Sequence, residues 1–180
     1  MIKKILIGLV LVVVGLVGLV AVVSLVSPTD FAVEREVVVN KPKDEVFAYA
    51  KLLKNQNDWG PWFKQDPAMM QEYTGTDGTP GFTSKWVSQE VGSGEQEIKR
   101  IVEGERIETE LRFTAPFESK ADCYITTEAV GENQTKVKWG FKSSMPRPMN
   151  LLTLVMDMDA AIGKDFEDGL ASLKSILETK

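Results

Sequence analysis

Residues 5–26 run for 22 positions without a charged side chain; beyond them, apolar positions recur first every second residue and then every third or fourth. A helix of that length, rising about 1.5 Å per residue, covers a hydrocarbon core of roughly 30 Å. A cleaved signal peptide has a shorter apolar region and a small-x-small cleavage site. Here the run ends Val22-Val23-Ser24-Leu25-Val26, so residues 1–26 are expected to form a retained transmembrane anchor. Lys3 and Lys4 precede the span, and Asp30, Glu34, Arg35 and Glu36 follow it. The positive-inside bias then places the N-terminus in the cytoplasm and the rest of the chain on the extracytoplasmic side. Gly8, Gly15 and Gly18 include no pair four apart, the spacing that lets two membrane helices pack closely.

Residues 27–30, Ser-Pro-Thr-Asp, read as a short linker, and residues 31–180 as one domain. A Val-rich strand is predicted over 31–39. A helix is predicted over 43–53, with Val46, Phe47, Ala50 and Leu53 at helical spacing behind Pro42. Strand-like runs follow at 69–76, 82–90, 96–102, 106–116, 120–128 and 135–144. Alternation is clearest where Ile107, Thr109, Leu111 and Phe113 oppose Glu108, Glu110 and Arg112, and where Val137, Trp139 and Phe141 oppose Lys136, Lys138 and Lys142. Short turns between such runs predict an antiparallel sheet with one face in water. Beyond Pro146 and Pro148 the period changes to 3.6. Val155, Met158, Ile162, Phe166, Leu170, Leu173 and Leu177 form one stripe of a helix expected over about 151–177. The fold class is therefore α+β: an antiparallel sheet carrying a long C-terminal helix, preceded by one transmembrane helix.

Composition removes several chemistries. The chain has no histidine, which excludes Ser-His-Asp and Cys-His catalysis in their usual forms and the commonest zinc ligand. Cys123 is the single cysteine, so neither an internal disulfide nor a thiolate metal cluster is available. With Lys3 and Lys4 set aside, 19 Lys and Arg face 26 Asp and Glu, a formal charge of −7 that disfavours a nucleic-acid partner. The turn at Gly75-Thr76-Asp77-Gly78-Thr79-Pro80-Gly81 lacks the Lys-Ser/Thr ending of a phosphate loop. No cofactor is expected, and oligomeric state is not legible.

The order of pieces resembles the START-like helix-grip (SRPBCC) superfamily, in particular its polyketide cyclase/dehydrase branch. The carriers are Val37 to Phe47 (VVVNKPKDEVF), Asp58-Trp59-Gly60-Pro61-Trp62, Tyr73-Thr74-Gly75, Ser84-Lys85-Trp86 and the helical run from Gly163 to Lys174. This resemblance implies a curled sheet gripping the long helix, with a deep apolar cavity between them that takes lipids, sterols, polyketides or other hydrophobic molecules. Inward candidates for its lining are Trp86, Leu111, Phe113, Trp139 and Phe141 on strands, and Ile162, Gly163 and Phe166 on the helix. Gly163 removes side-chain bulk where a ligand would approach, or else permits close helix packing.

Other residues carry two readings. Trp59, Pro61, Trp62 and Phe63 form either a lid or lipid-facing surface or, for Trp59, part of the core. Asp58, Asp66, Glu72, Asp157, Asp159 and Asp165 lie toward the expected cavity mouth, but none makes a recognisable catalytic pair, and no catalytic or metal-binding residue is assigned. Cys123 reads as a buried apolar filler, and Tyr124, of opposite parity, as facing water. Three functions stay open: a membrane-anchored module binding a hydrophobic or lipid-like small molecule, a cyclase- or hydratase-type enzyme using a pocket carboxylate or tyrosine, and an envelope interaction protein whose cavity is filled.

Overall fold

The structure is a computed structural model and describes residues 2–179; Met1 and Lys180, the two ends of the regions expected above, lie outside them. The chain divides into two compact units. The first comprises the residues up to Phe31 together with Ser144–Asp157, and the second Ala32–Ser143 together with Met158 onward.

In the first unit, helix α1 spans Ile2–Val26. Lys3–Val26 is the one described helix long and apolar enough to cross a membrane. Its side chains are exposed from Lys3 to Val22. A short 3-10 helix, Met149–Leu154, belongs to the same unit. The sequence places residues 144–157 within the main domain; the structure groups them with α1.

The second unit is a seven-stranded sheet with one long helix. Strand β1 is Asp30–Val39, and helix α2, Lys43–Ala50, opens behind Pro42 with Asp44 and Glu45 favourably placed in its first turn. Two short helices follow, α3 at Gln56–Trp59 and α4 at Pro61–Gln65, the latter begun by Pro61 at its first position. Then come β2 Met70–Thr74, β3 Thr83–Val87, β4 Ser93–Val102, β5 Arg106–Ala115, β6 Ser119–Gly131 and β7 Gln134–Ser144. Helix α5 covers Met158–Thr179. The strand order is β1-β7-β6-β5-β4-β3-β2, and the pairs from β2 through β7 are antiparallel hairpin neighbours.

Strand alternation sets the faces as expected. Ile107, Ile125, Val137 and Trp139 turn inward onto α5, where Phe166, Leu170, Leu173 and Leu177 meet them. Each such large side chain removed from water contributes about 1.5–3 kcal/mol. Val39, Val46, Phe47, Ala50 and Trp59 complete this core, and Leu53, Phe82 and Ile98 form a smaller one. The outer face carries ion pairs such as Arg112 with Glu95 and Glu97, which in water contribute little each.

The apolar stripe misplaces the start of the long helix. Val155 is 81% exposed, and α5 begins at Met158 rather than near residue 151. Arg147 and Asn150 instead hydrogen-bond the end of α1, and Met149–Leu154 form a 3-10 helix.

Candidate functional site

Within the second unit a cavity of about 210 Å³ opens between the inner sheet face and α5. An apolar void of about 150 Å³ already accommodates benzene, so this one holds a ring or a short chain in full. Strand parity delivers the sheet side of its wall: Ser84 and Trp86 from β3, Gln96 from β4, Leu111 and Phe113 from β5, Cys123 from β6, and Trp139 and Phe141 from β7. Helix α5 adds Ile162, Asp165 and Phe166, and the segment from Leu53 to Met69 adds Gln56, Asn57, Trp62 and Phe63. Aromatic rings dominate. Trp139 stacks on Phe166 at 4.0 Å between ring centroids and meets Trp59 and Trp62 edge-on, while Trp86 meets Phe113 edge-on.

The structure brings seven of the eight residues expected at this site together: Trp86, Leu111, Phe113, Trp139, Phe141, Ile162 and Phe166. Gly163 is not among them. It is buried on another face of α5, where an added Cβ would overlap the Arg35 guanidinium. Arg35 reaches over it from β1 to bond Asp159 at 2.9 Å and Glu167 at 2.7 Å, one helical turn before and one after. Asp159, Gly163 and Glu167 recur every fourth residue and so share one face, on which the glycine makes room for a guanidinium rather than for a ligand.

Gly169 differs in kind. A Cβ there would lie 2.8 Å from the Trp139 ring, with Pro61 and Trp59 close behind. Arg35 can swing away; a buried indole cannot. Gly163→Ala is therefore expected to be nearly neutral, the gain of about 1 kcal/mol in helix propensity offsetting a displaced Arg35. Gly169→Ala should destabilise by about 1–2 kcal/mol, because overpacking exceeds that gain. Urea denaturation of the two variants side by side checks the contrast.

Of the carboxylates expected near the mouth, only Asp165 lines the cavity. Burial, with Asp168 nearby, raises its pKa above the ordinary aspartate value, while a hydrogen bond from Trp62 works the other way. Trp59 is fully buried in the core rather than on a lid, and its indole Nε1 finds no acceptor among the described residues. Cys123 is buried, and desolvation pushes its thiol well above the usual range, so it remains a neutral filler. Tyr124 does not simply face water: its ring is seated against Gly140 and its hydroxyl donates to Glu34.

The polar residues Gln56, Asn57, Gln96 and Ser84 were not anticipated. Parity on β4 would have turned Gln96 inward beside Ile98, but Gln56 and Asn57 stand in a short helix too brief to show a period. Gln96 donates to Thr109 at 3.0 Å, and Asn57 donates to Gln71 and Tyr73 at 2.8 Å each. Gln56, 7% exposed, also reaches the wall. Among the described residues no Lys or Arg lines the cavity, and no group of three or more His, Cys, Asp and Glu could hold a metal ion. Chemically the site offers an aromatic-walled apolar volume, the side-chain amides of Gln56, Asn57 and Gln96, and one carboxyl.

No protein-family model matches the chain, and no curated protein matches it in sequence. Solved structures do match. A protein of unknown function from Staphylococcus aureus superposes with a TM-score of 0.63 at 13% identity, over 84% of this chain and 96% of that one. Norcoclaurine synthase from Thalictrum flavum, in complex with dopamine and hydroxybenzaldehyde, gives 0.61 at 13% identity over 88% and 92%. Ara h 8.0201 gives 0.58 at 15% identity over 84% and 99%. What these likenesses share with the seven-stranded antiparallel sheet and α5 described above is a fold, the helix grip.

Proposed function

We propose that this chain is a membrane-anchored member of the START-like superfamily whose helix-grip domain binds a hydrophobic small molecule in its cavity without covalent chemistry. In this reading α1 is the anchor, Lys3 and Lys4 lie in the cytoplasm and the domain is extracytoplasmic. The observation that carries the binding role is the open volume of about 210 Å³ walled by Trp62, Phe63, Trp86, Phe113, Trp139, Phe141 and Phe166. An envelope protein with a filled cavity would have no such space. The ligand's chemistry follows from the wall: an apolar or aromatic body with a hydroxyl or carbonyl group to meet the Gln56 amide.

A second reading, a cyclase- or hydratase-type enzyme, is favoured by one observation, the raised pKa of Asp165. Asp165 would then be its acid or base, the one carboxyl among the described residues of the wall, beside the neutral Cys123 thiol.

Titrating the full chain in detergent micelles with a medium-chain fatty alcohol, an isoprenoid alcohol and a phenolic aldehyde tests the binding reading. Saturable binding of at least one supports it; none binding would overturn it. Affinity should depend on pH. Burial already disfavours the charged form of Asp165, and an apolar ligand excludes more water, raising the pKa further in the bound state. The state with the higher pKa binds protons more tightly, so binding strengthens as pH falls through the range just above the ordinary carboxylate value. Asp165→Asn should flatten that profile, as isothermal titration at several pH values would show.

A further inference from the structure

The last turn of a helix leaves carbonyls without intrahelical partners, and in α1 a distant segment supplies them. Arg147 Nε donates to the Ser24 carbonyl at 2.9 Å and Nη2 to the Leu25 carbonyl at 3.1 Å. Asn150, completely buried, donates to the carbonyls of Ser24 and Ser27 at 2.9 and 3.1 Å, while its Oδ1 accepts from the Ser24 hydroxyl at 2.8 Å. Met145 N–H donates to the Thr29 carbonyl at 2.9 Å. The cation also suits the negative end of the helix dipole. Residues 145–150 are thus fastened to the place where the apolar run of α1 stops.

Directly after this clamp stand Leu152, Leu154, Val155 and Met156, exposed by 39, 57, 81 and 50%. From Pro148 to Met156 the chain carries no charge, and Arg147 and Asp157 bracket that stretch. Its backbone is largely self-satisfied: Asn150 N–H donates to Pro146, Leu151 N–H to Pro148, and Val155 and Met156 N–H both to Leu152. Internal hydrogen bonding is what allows a backbone to leave water for a bilayer. So much exposed apolar surface on one short loop is unusual where only water meets it.

We infer that residues 152–156 form a second membrane contact, a loop seated in the lipid interface beside the end of the span. The inference rests on the anchored reading of α1 given above. Lipid is the occupant because the Arg147 and Asn150 clamp fastens this loop to the last turn of α1, whose own Leu25 and Val26 are exposed apolar side chains. A polypeptide held at the end of a span lies at the depth where interfacial segments bury an apolar face about 5–10 Å into the headgroup and acyl boundary.

The test uses the full chain in phosphatidylcholine and phosphatidylglycerol vesicles. Single substitutions Leu154→Cys, Val155→Cys and Met156→Cys are labelled with a polarity-sensitive fluorophore, with Val13→Cys marking the span and Glu132→Cys, on an exposed hairpin turn, as an aqueous reference. Cys123 is buried, and the unsubstituted chain gives the background. Quenching by lipids spin-labelled near the headgroup should exceed the Glu132 reference by about threefold or more at all three loop positions, as shallow burial requires. Iodide accessibility equal to that of Glu132 would overturn the inference. So would protection from iodide without lipid quenching, which would mean that protein covers the patch. Absence of quenching at Val13 by lipids spin-labelled deep in the acyl chain would instead show that the anchored reading itself has failed, whatever the loop does.

Discussion

Phe166→Ala is expected to destabilise the helix-grip domain by about 3–5 kcal/mol. The side chain is 2% exposed, and its ring lies parallel to Trp139, 4.0 Å between centroids and 1° apart in plane. Truncation removes the transfer free energy of a phenyl group and that stacking together. The void already beside it offers nothing to close the gap, so little of the loss is recovered by collapse. Urea unfolding followed by tryptophan emission measures the effect, with an unchanged slope marking an effect on stability alone. A loss below about 1 kcal/mol would mean that this face of α5 does not carry the core.

Leu111→Trp should weaken ligand binding at least about tenfold while leaving the fold nearly as stable as before. Leu111 lies on β5 opposite Ala121 of β6 and Gln96 of β4, with its side chain on the cavity wall. An indole there projects into open volume instead of into packed neighbours. Affinity for whichever hydrophobic probe binds the unsubstituted chain should fall by at least about tenfold, equivalent to about 1.4 kcal/mol. Stability should move by less than about 1 kcal/mol, whereas the same change in a filled core overpacks it and costs about 1–3 kcal/mol. Measured together, binding and denaturation separate an open cavity from a filled one.

How much of this was legible beforehand follows from what periodicity encodes. Strict alternation at Ile107 to Phe113 and Val137 to Phe141 records which side of a sheet is dry, so these strands and four wall residues, Leu111, Phe113, Trp139 and Phe141, could be read from it. The stripe from Ile162 to Leu177 likewise records the buried face of α5. Val155 joined that stripe because spacing cannot tell a side chain in the core from an apolar side chain exposed on a loop. Gly163 was read toward the ligand because an absent side chain does not say what fills the space. The answer lay 128 positions away, in Arg35, with Asp159 and Glu167 on one helix face as the local trace. Gln56 and Asn57 lie in a four-residue helix, too short for any period, and only the folded chain brings them to the wall. The clamp at Arg147 and Asn150 joins segments more than 120 residues apart and leaves no mark on either alone.

The placement of the indoles has a practical consequence. The chain has four tryptophans: Trp62, Trp86 and Trp139 stand on the cavity wall, and Trp59 touches Trp139 at 4.8 Å between ring centroids. None lies in α1 or in the loop that follows β7. The intrinsic emission of this protein is therefore a signal from one small region, undiluted by remote fluorophores. An entering molecule changes the polarity around three indoles at once, and an aromatic aldehyde adds the means to quench them. If the cavity takes a ligand, this emission is an optical gauge of occupancy, by which libraries of unlabelled compounds could be screened through the colour and lifetime of the protein's ultraviolet light.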